Sequence, residues 1–234
     1  METDLGNKYE IVFEDEHLVA VYKPAGIFVH RSTLDPTAKI FMLQEVRNLI
    51  GCRVYPVHRL DRKTSGVLLL AKSKEIQSKM NELFKTRKVN KKYIAIVRGY
   101  SEDSAIIDYP LKTDSGKMQE AITQFVTLQR VEIPESSGKF LTSRYSLIEA
   151  RPLTGRMHQI RKHLAHIFHP IIGDRPHGCN KQNKFFLARF GLSGMMLHAS
   201  ELNFIHPVIG IEITIKAKYK DEFARIFKEL GFEN

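Results

Sequence analysis

Hydrophobic and polar positions along the chain switch between the two-residue period of strands and the 3.6-residue period of helices. From Tyr9 to His30 the run YEIVFEDEHLVAVYKPAGIFVH has two apolar, β-branched stretches split by polar EDEH and closed by Pro-Ala-Gly, which predicts a hairpin and then a short strand. Residues 37–50 place Ile40, Phe41, Leu43, Val46, Leu49 and Ile50 near helical spacing, with Gly51 where such a helix ends. GVLLLAKS (66–73) reads as a buried strand. KEIQSKMNELFKTRKV (74–89) reads as an amphipathic helix with Ile76, Met80, Leu83 and Phe84 on one side, and KKYIAIVRGY (91–100) as another strand.

Strand-like runs follow at roughly 120–132, 140–151 and 209–217, with a helical stretch near 158–168 and a C-terminal helix, KDEFARIFKELGF (220–232). This mixture predicts an α+β fold, a mixed and largely antiparallel sheet flanked by helices. Repeats, low-complexity tracts and Gly/Ser linkers are missing, and polar IPESSGKF (133–140) suits an exposed turn. One domain over residues 1–234, with room for two lobes on one sheet, is the expected organisation.

Composition narrows the class. With 43% hydrophobic residues the chain can bury a sizeable core. It contains no run near the roughly 20 apolar residues that cross a bilayer. The opening METDLGNKYE has acids where a secretory signal has bases, so a cytoplasmic protein with no membrane association is expected. Cys52 and Cys179 form no CxxC pair and suggest no disulfide framework. The formal charge is +10, and residues 151–189 hold eight Lys or Arg against one acid, Asp174. Focused positive charge suits a polyanionic partner such as RNA, although a generally basic enzyme has the same sum.

Candidate chemistry starts at Val57-His58-Arg59-Leu60-Asp61-Arg62-Lys63-Thr64-Ser65-Gly66. Asp61 is the only acid between Glu45 and Glu75. A carboxylate flanked by three cations favours its charged form, which can serve as nucleophile or base. Taken alone, the segment reads equally well as a turn that neutralises arginines. A second segment, Leu153-Thr154-Gly155-Arg156-Met157-His158-Gln159-Ile160-Arg161-Lys162-His163-Leu164, reads as a glycine turn feeding a basic helix able to grip phosphates.

HRLDRKTSG, KKYIAIVRG, TGRMHQIRKHLAHIFHPIIGD and LHASELNFIHP, in that order, resemble the signature segments of the RluA-type pseudouridine synthases, with the likeness running from about Tyr9 to Lys216. The resemblance implies a pseudouridine synthase catalytic fold without an N-terminal S4-type module, and isomerisation of uridine in structured RNA. It implies that Asp61 is the catalytic carboxylate, that Tyr93 stacks on uracil and that Arg161 pairs with the carboxylate. Ile160 and Leu197 match apolar lining positions, and Arg62 matches the basic side chain that fills the space left by an extruded base. His58, Arg59, Thr64, Arg156, His158, Gln159 and Lys162 complete the expected RNA-contacting set. An aromatic face, apolar walls and one oriented charge pair are what a pocket for a flat base needs.

Within the family, RKHLAHIFHPIIGD followed by Arg175-Pro176-His177-Gly178, Asn180 and Asn183 resembles members that act on uridine 65 in the tRNA T stem, with a ribosomal RNA target as the alternative. Met157 and Cys179 depart from the commoner residues at their positions. The reaction breaks an N–C bond and makes a C–C bond, so no cofactor is expected, and neither is a protein partner beyond a monomer. Asp61 can attack C1′, add to C6 or take the 2′ proton, and the sequence leaves all three open. His158, His163, His166, His169, His177 and Cys179 lie near one another in sequence, but their spacing does not match a zinc helix pair, so no metal is expected. Two rivals remain: an RNA-binding domain without catalysis, and a glycoside hydrolase, which generally needs a second carboxylate.

Overall fold

A computed structural model describes residues 9–30 and 37–233, so the acidic opening of the chain up to Lys8 lies outside the described residues. In chain order the elements are β1 (Ile11–Glu14), β2 (Leu18–Lys23), α1 (Met42–Ile50), β3 (Tyr55–Pro56), β4 (Ser65–Ala71), α2 (Lys74–Lys85), β5 (Val89–Arg98), β6 (Ser104–Asp108), β7 (Leu111–Lys112), β8 (Met118–Gln119), β9 (Ile122–Ile133), β10 (Ser143–Pro152), α3 (Gln159–His166), α4 (Asn180–Phe190), β11 (Leu197–Ile205), β12 (Glu212–Lys216) and α5 (Asp221–Glu229). The predicted α+β class with a mixed, largely antiparallel sheet and flanking helices is what the chain adopts.

The chain forms two compact units. One comprises the residues up to Val89 together with Glu201–Lys218; the other comprises Asn90–Ser200 and the residues from Tyr219 onward.

In the first unit β1 and β2 form the predicted hairpin, and β2 pairs antiparallel with β4 from Leu18↔Ala71 to Lys23↔Gly66. Both β2 and β4 are buried along their whole length, which explains why their sequences run almost continuously apolar. α1 begins later than its pattern suggests, with extended Phe41 as its N-cap, and ends at left-handed Gly51. α2 is capped by Ser73, whose side chain accepts from Ile76 N at 3.2 Å. Ile76 and Met80 are buried in a core with Leu69, Tyr22 and Phe204, and Leu83 and Phe84 pack against it. The β11–β12 hairpin, paired internally from Glu201↔Lys216 to Ile205↔Glu212, contributes Leu202, Phe204 and Ile215 to this core.

In the second unit β5, β10, β9 and β6 pair antiparallel in that order. Its core contains Ile96, Leu147, Ile160, Leu164, Phe186, Leu197 and Phe227, so α3, α4 and α5 each bury a face in it. The predicted exposed turn at 133–140 is only partly so. Buried Ser137 bonds to Ser143 and Gln182, while Phe140 and Leu141 stand in solvent.

Candidate functional site

Asp61 lies in the loop entering β4, and what fixes that loop is a second loop with the sequence Lys23-Pro24-Ala25-Gly26. Gly26 N donates to Arg62 O at 2.8 Å, and Arg62 Nε donates back to Gly26 O at 2.9 Å. Thr64 N closes a turn on Asp61 O at 3.1 Å. Lys23 is fully buried, and its ammonium donates to Pro24 O, Arg62 O and Thr64 O at 2.9, 3.0 and 2.8 Å. Asp61 itself is half-buried within this turn.

The neighbours expected to contact RNA divide into holders and reachers. His58 Nε2 accepts from Leu69 N at 2.9 Å, and its ring stacks on Phe84, so it ties the loop to β4 and α2. Thr64 is buried at 2% exposure and is likewise part of the scaffold. Arg59 and Arg62 are exposed, with the Arg62 guanidinium lying 4.9 Å over the Phe28 ring.

In the second unit Tyr93 sits on β5 opposite Ala150 of β10, partly buried against the core that contains Ile160 and Leu197. These three supply one aromatic and two aliphatic side chains to a single hydrophobic cluster. α3 starts from His158, which holds a left-handed backbone at φ 56°. For a non-glycine residue that conformation is uncommon and persists only where the surroundings impose it.

Those surroundings are visible in the hydrogen bonds. Gln159, 4% exposed, accepts from Thr154 Oγ1 and Arg156 N and donates to Ile122 O and Thr123 Oγ1. Its full complement of four bonds is spent on the protein, so it locks the start of α3 to β9 instead of reaching outward. His163, fully buried, sits between Thr123 Oγ1 and Tyr109 O; burial lowers its pKa. The Tyr109 carbonyl only accepts, so Nε2 carries the proton and Nδ1 accepts from the Thr123 hydroxyl.

Arg161 is buried, and its Nε and Nη2 donate to the two carboxylate oxygens of Asp174 at 2.8 and 2.7 Å. A bidentate pair fixes the plane of the guanidinium as well as its position. Asp174 sits between two glycines with strict demands. A Cβ on Gly173, at φ +82°, would collide with the Gly194 carbonyl, and one on Gly178 with the Asp174 carbonyl. Asp174 is not among the residues expected at the site, because HPIIGD has the composition of a turn. Its isolation among eight cations in 151–189 was the available signal.

The histidines do not converge. His158 Nδ1 meets His177 Nε2 at 3.0 Å, His166 stacks on Tyr109, and His169 Nδ1 bonds Arg98 O. Among the described residues no group of three His, Cys, Asp or Glu is arranged to hold a metal ion. Basic side chains do converge: Lys112, Arg156 and Lys162, with Thr113, Ser115, Asp114 and Gln119, line a cleft of about 400 Å³ between the β7–β8 hairpin and the start of α3.

The first unit thus carries a half-buried carboxylate in a clamped basic turn, and the second carries an aromatic-apolar cluster and a buried, paired arginine. Residues 17–166 match the RNA pseudouridylate synthase family, and the chain belongs to that family, in its RluA-type branch. It is similar to tRNA pseudouridine synthase C of Vibrio parahaemolyticus, at 47% identity over 96% of both chains. It is also similar to the protein of that name from Haemophilus influenzae, at 45% identity over 96% of this chain and 99% of the other. Among solved structures, human RNA Pseudouridylate Synthase Domain Containing 4 superposes with a TM-score of 0.73 at 27% identity, covering 96% of this chain and 94% of that one. The enzyme is therefore an isomerase that makes pseudouridine in RNA.

Proposed function

We propose that this enzyme converts a uridine of tRNA, uridine 65 in the T stem, to pseudouridine, with Asp61 as the nucleophile. The observation that carries the catalytic assignment is the Asp61 turn. A half-buried carboxylate stands in a loop whose Arg62 and Thr64 carbonyls are held by hydrogen bonds from the Lys23–Gly26 loop. Fixing a nucleophile in this way removes orientational entropy before substrate arrives.

The roles follow from side-chain chemistry. For attack at C1′, the Asp61 carboxylate bonds to C1′ as the N1–C1′ bond breaks, the freed uracil anion turns, and C5 bonds to C1′ as the Asp61–C1′ bond breaks and returns its electron pair to the carboxylate. The C5 proton leaves to solvent and N1 gains one, so atoms and electrons balance without a redox or metal partner. Tyr93 offers an aromatic face to uracil, Ile160 and Leu197 offer apolar walls, and Arg161 offers a cation whose plane Asp174 fixes.

A stacked uridine must leave its helix, at a cost of a few kcal/mol. Contacts that offset this come from exposed Arg59 and Arg62 and from the basic cleft of Lys112, Arg156 and Lys162. The tRNA target rests on relatives named for tRNA at 45–47% identity over nearly the whole chain. The test is to map pseudouridines in total tRNA and ribosomal RNA from cells with and without the gene. Loss confined to tRNA position 65 supports the target; loss in ribosomal RNA replaces it.

A further inference from the structure

We propose that Tyr109 and His166 form a stacking platform for an unpaired nucleobase of the tRNA, beside the basic cleft that takes the phosphates of the same strand. The inference rests on the tRNA substrate proposed above and adds a second base contact, made by residues other than those assigned to the target uridine.

Tyr109 lies between β6 and β7, and its backbone is held on both sides. Its N–H donates to Ala121 O at 3.2 Å, and its carbonyl accepts from His163 Nε2 at 2.9 Å. Pro110 follows it and disfavours a helical backbone at Tyr109. His163 is fully buried, so the carbonyl is anchored in the interior of the unit. Three residues further along α3, His166 stacks on the Tyr109 ring, with 3.7 Å between centroids and 19° between planes. Neighbouring positions on one side of α3 therefore grip the same residue, His163 at its carbonyl and His166 at its ring.

This stack is on the surface: Tyr109 is 42% exposed and His166 is exposed as well. Each ring covers one face of the other, and what remains exposed is flat, aromatic and fixed in place. Such a stack gains little from burial, but it offers a preordered face to which a further ring adds, whichever base carries it. The surroundings favour nucleic acid over an apolar partner. Lys162 precedes His166 by one turn on the same side of α3, and Lys112 follows Tyr109 by three residues. With Arg156 and the hydroxyls of Thr113 and Ser115 these two lysines line the basic cleft, which also holds Asp114. A cationic groove next to an exposed aromatic face is the combination that binds single-stranded nucleotides, phosphate in the groove and base on the ring.

The test is binding of a tRNA transcript to wild type, Tyr109→Ala and Tyr109→Phe at several salt concentrations, together with photo-cross-linking. Tyr109→Ala should bind about 5- to 150-fold more weakly, the scale of one base stacked on an aromatic side chain. Tyr109→Phe keeps the ring and should bind within about twofold of wild type, and neither variant should change the slope of log affinity against log salt, since no phosphate contact is lost. 5-Iodouridine, placed in turn at each unpaired position flanking the T stem, should cross-link from one of them to Tyr109 or His166, identified by mass spectrometry of the digested complex. Tyr109→Ala affinity near wild type, a loss that comes with a shallower salt slope, or no cross-link to either residue from any position would overturn the proposal. If Tyr109→Ala does not fold, the cross-links to wild type decide alone. Wild type that neither binds nor modifies the transcript would instead overturn the tRNA substrate.

Discussion

Arg161 and Asp174 meet through two parallel charge-assisted hydrogen bonds, at 2.8 and 2.7 Å, with Asp174 only 1% exposed. Such a pair is weak evidence of net stability, because both charges lose their hydration, but removing one partner strands the other. Asp174→Ala should therefore cost about 3–5 kcal/mol, measured as a fall in the free energy of urea unfolding. An unchanged stability would mean that Arg161 does not depend on Asp174.

Buried His163 gives the stability of the enzyme a pH dependence. Burial, its largest influence, depresses its pKa in the folded state, and the neutral ring is what both of its hydrogen bonds need. The unfolded chain then binds more protons below the ordinary histidine pKa of about 6.5, so the contribution is present above that value and lost as pH falls below it. Urea midpoints should decline from neutral toward acid pH, and His163→Gln should flatten part of that decline. An equally steep decline in the variant would assign it elsewhere.

Arg62 is exposed, bonded through Nε to Gly26 O and laid over Phe28. Arg62→Ala should weaken tRNA binding and reduce the slope of log affinity against log salt by about 1. Thermal stability should change by no more than about 1 kcal/mol, the scale of one hydrogen bond. Gross unfolding with RNA affinity intact would refute an RNA-facing role.

These residues also show how far the chain could be read without coordinates. β4 and α2 were legible because one is apolar throughout and the other keeps Ile76 and Met80 on one face. α4 was passed over because NKQNKFFLARF opens with five polar residues, although Phe186 and Phe190 hold the spacing of a buried face. β7 and β8 have two residues each, which leaves no period to detect.

The site was legible in its motifs and not in its supports. Asp61 stood out as a lone acid, whereas Lys23 was hidden inside a Pro-Gly breaker. Its role depends on bonds to residues 39 and 41 positions away. Gln159 looked like an RNA contact because it lies in a basic helix. Its burial and four protein bonds come from β9 and the preceding loop, which no local pattern reports.

The account depends most on Asp61, and the direct measurement is pseudouridine formed on a tRNA T-stem transcript by purified Asp61→Asn enzyme, read by mass spectrometry, with binding of the same RNA followed in parallel. The account predicts no pseudouridine above background and RNA affinity within about threefold of wild type, since one carboxylate adds no phosphate contact. Conversion by Asp61→Asn at a rate comparable to wild type would contradict it.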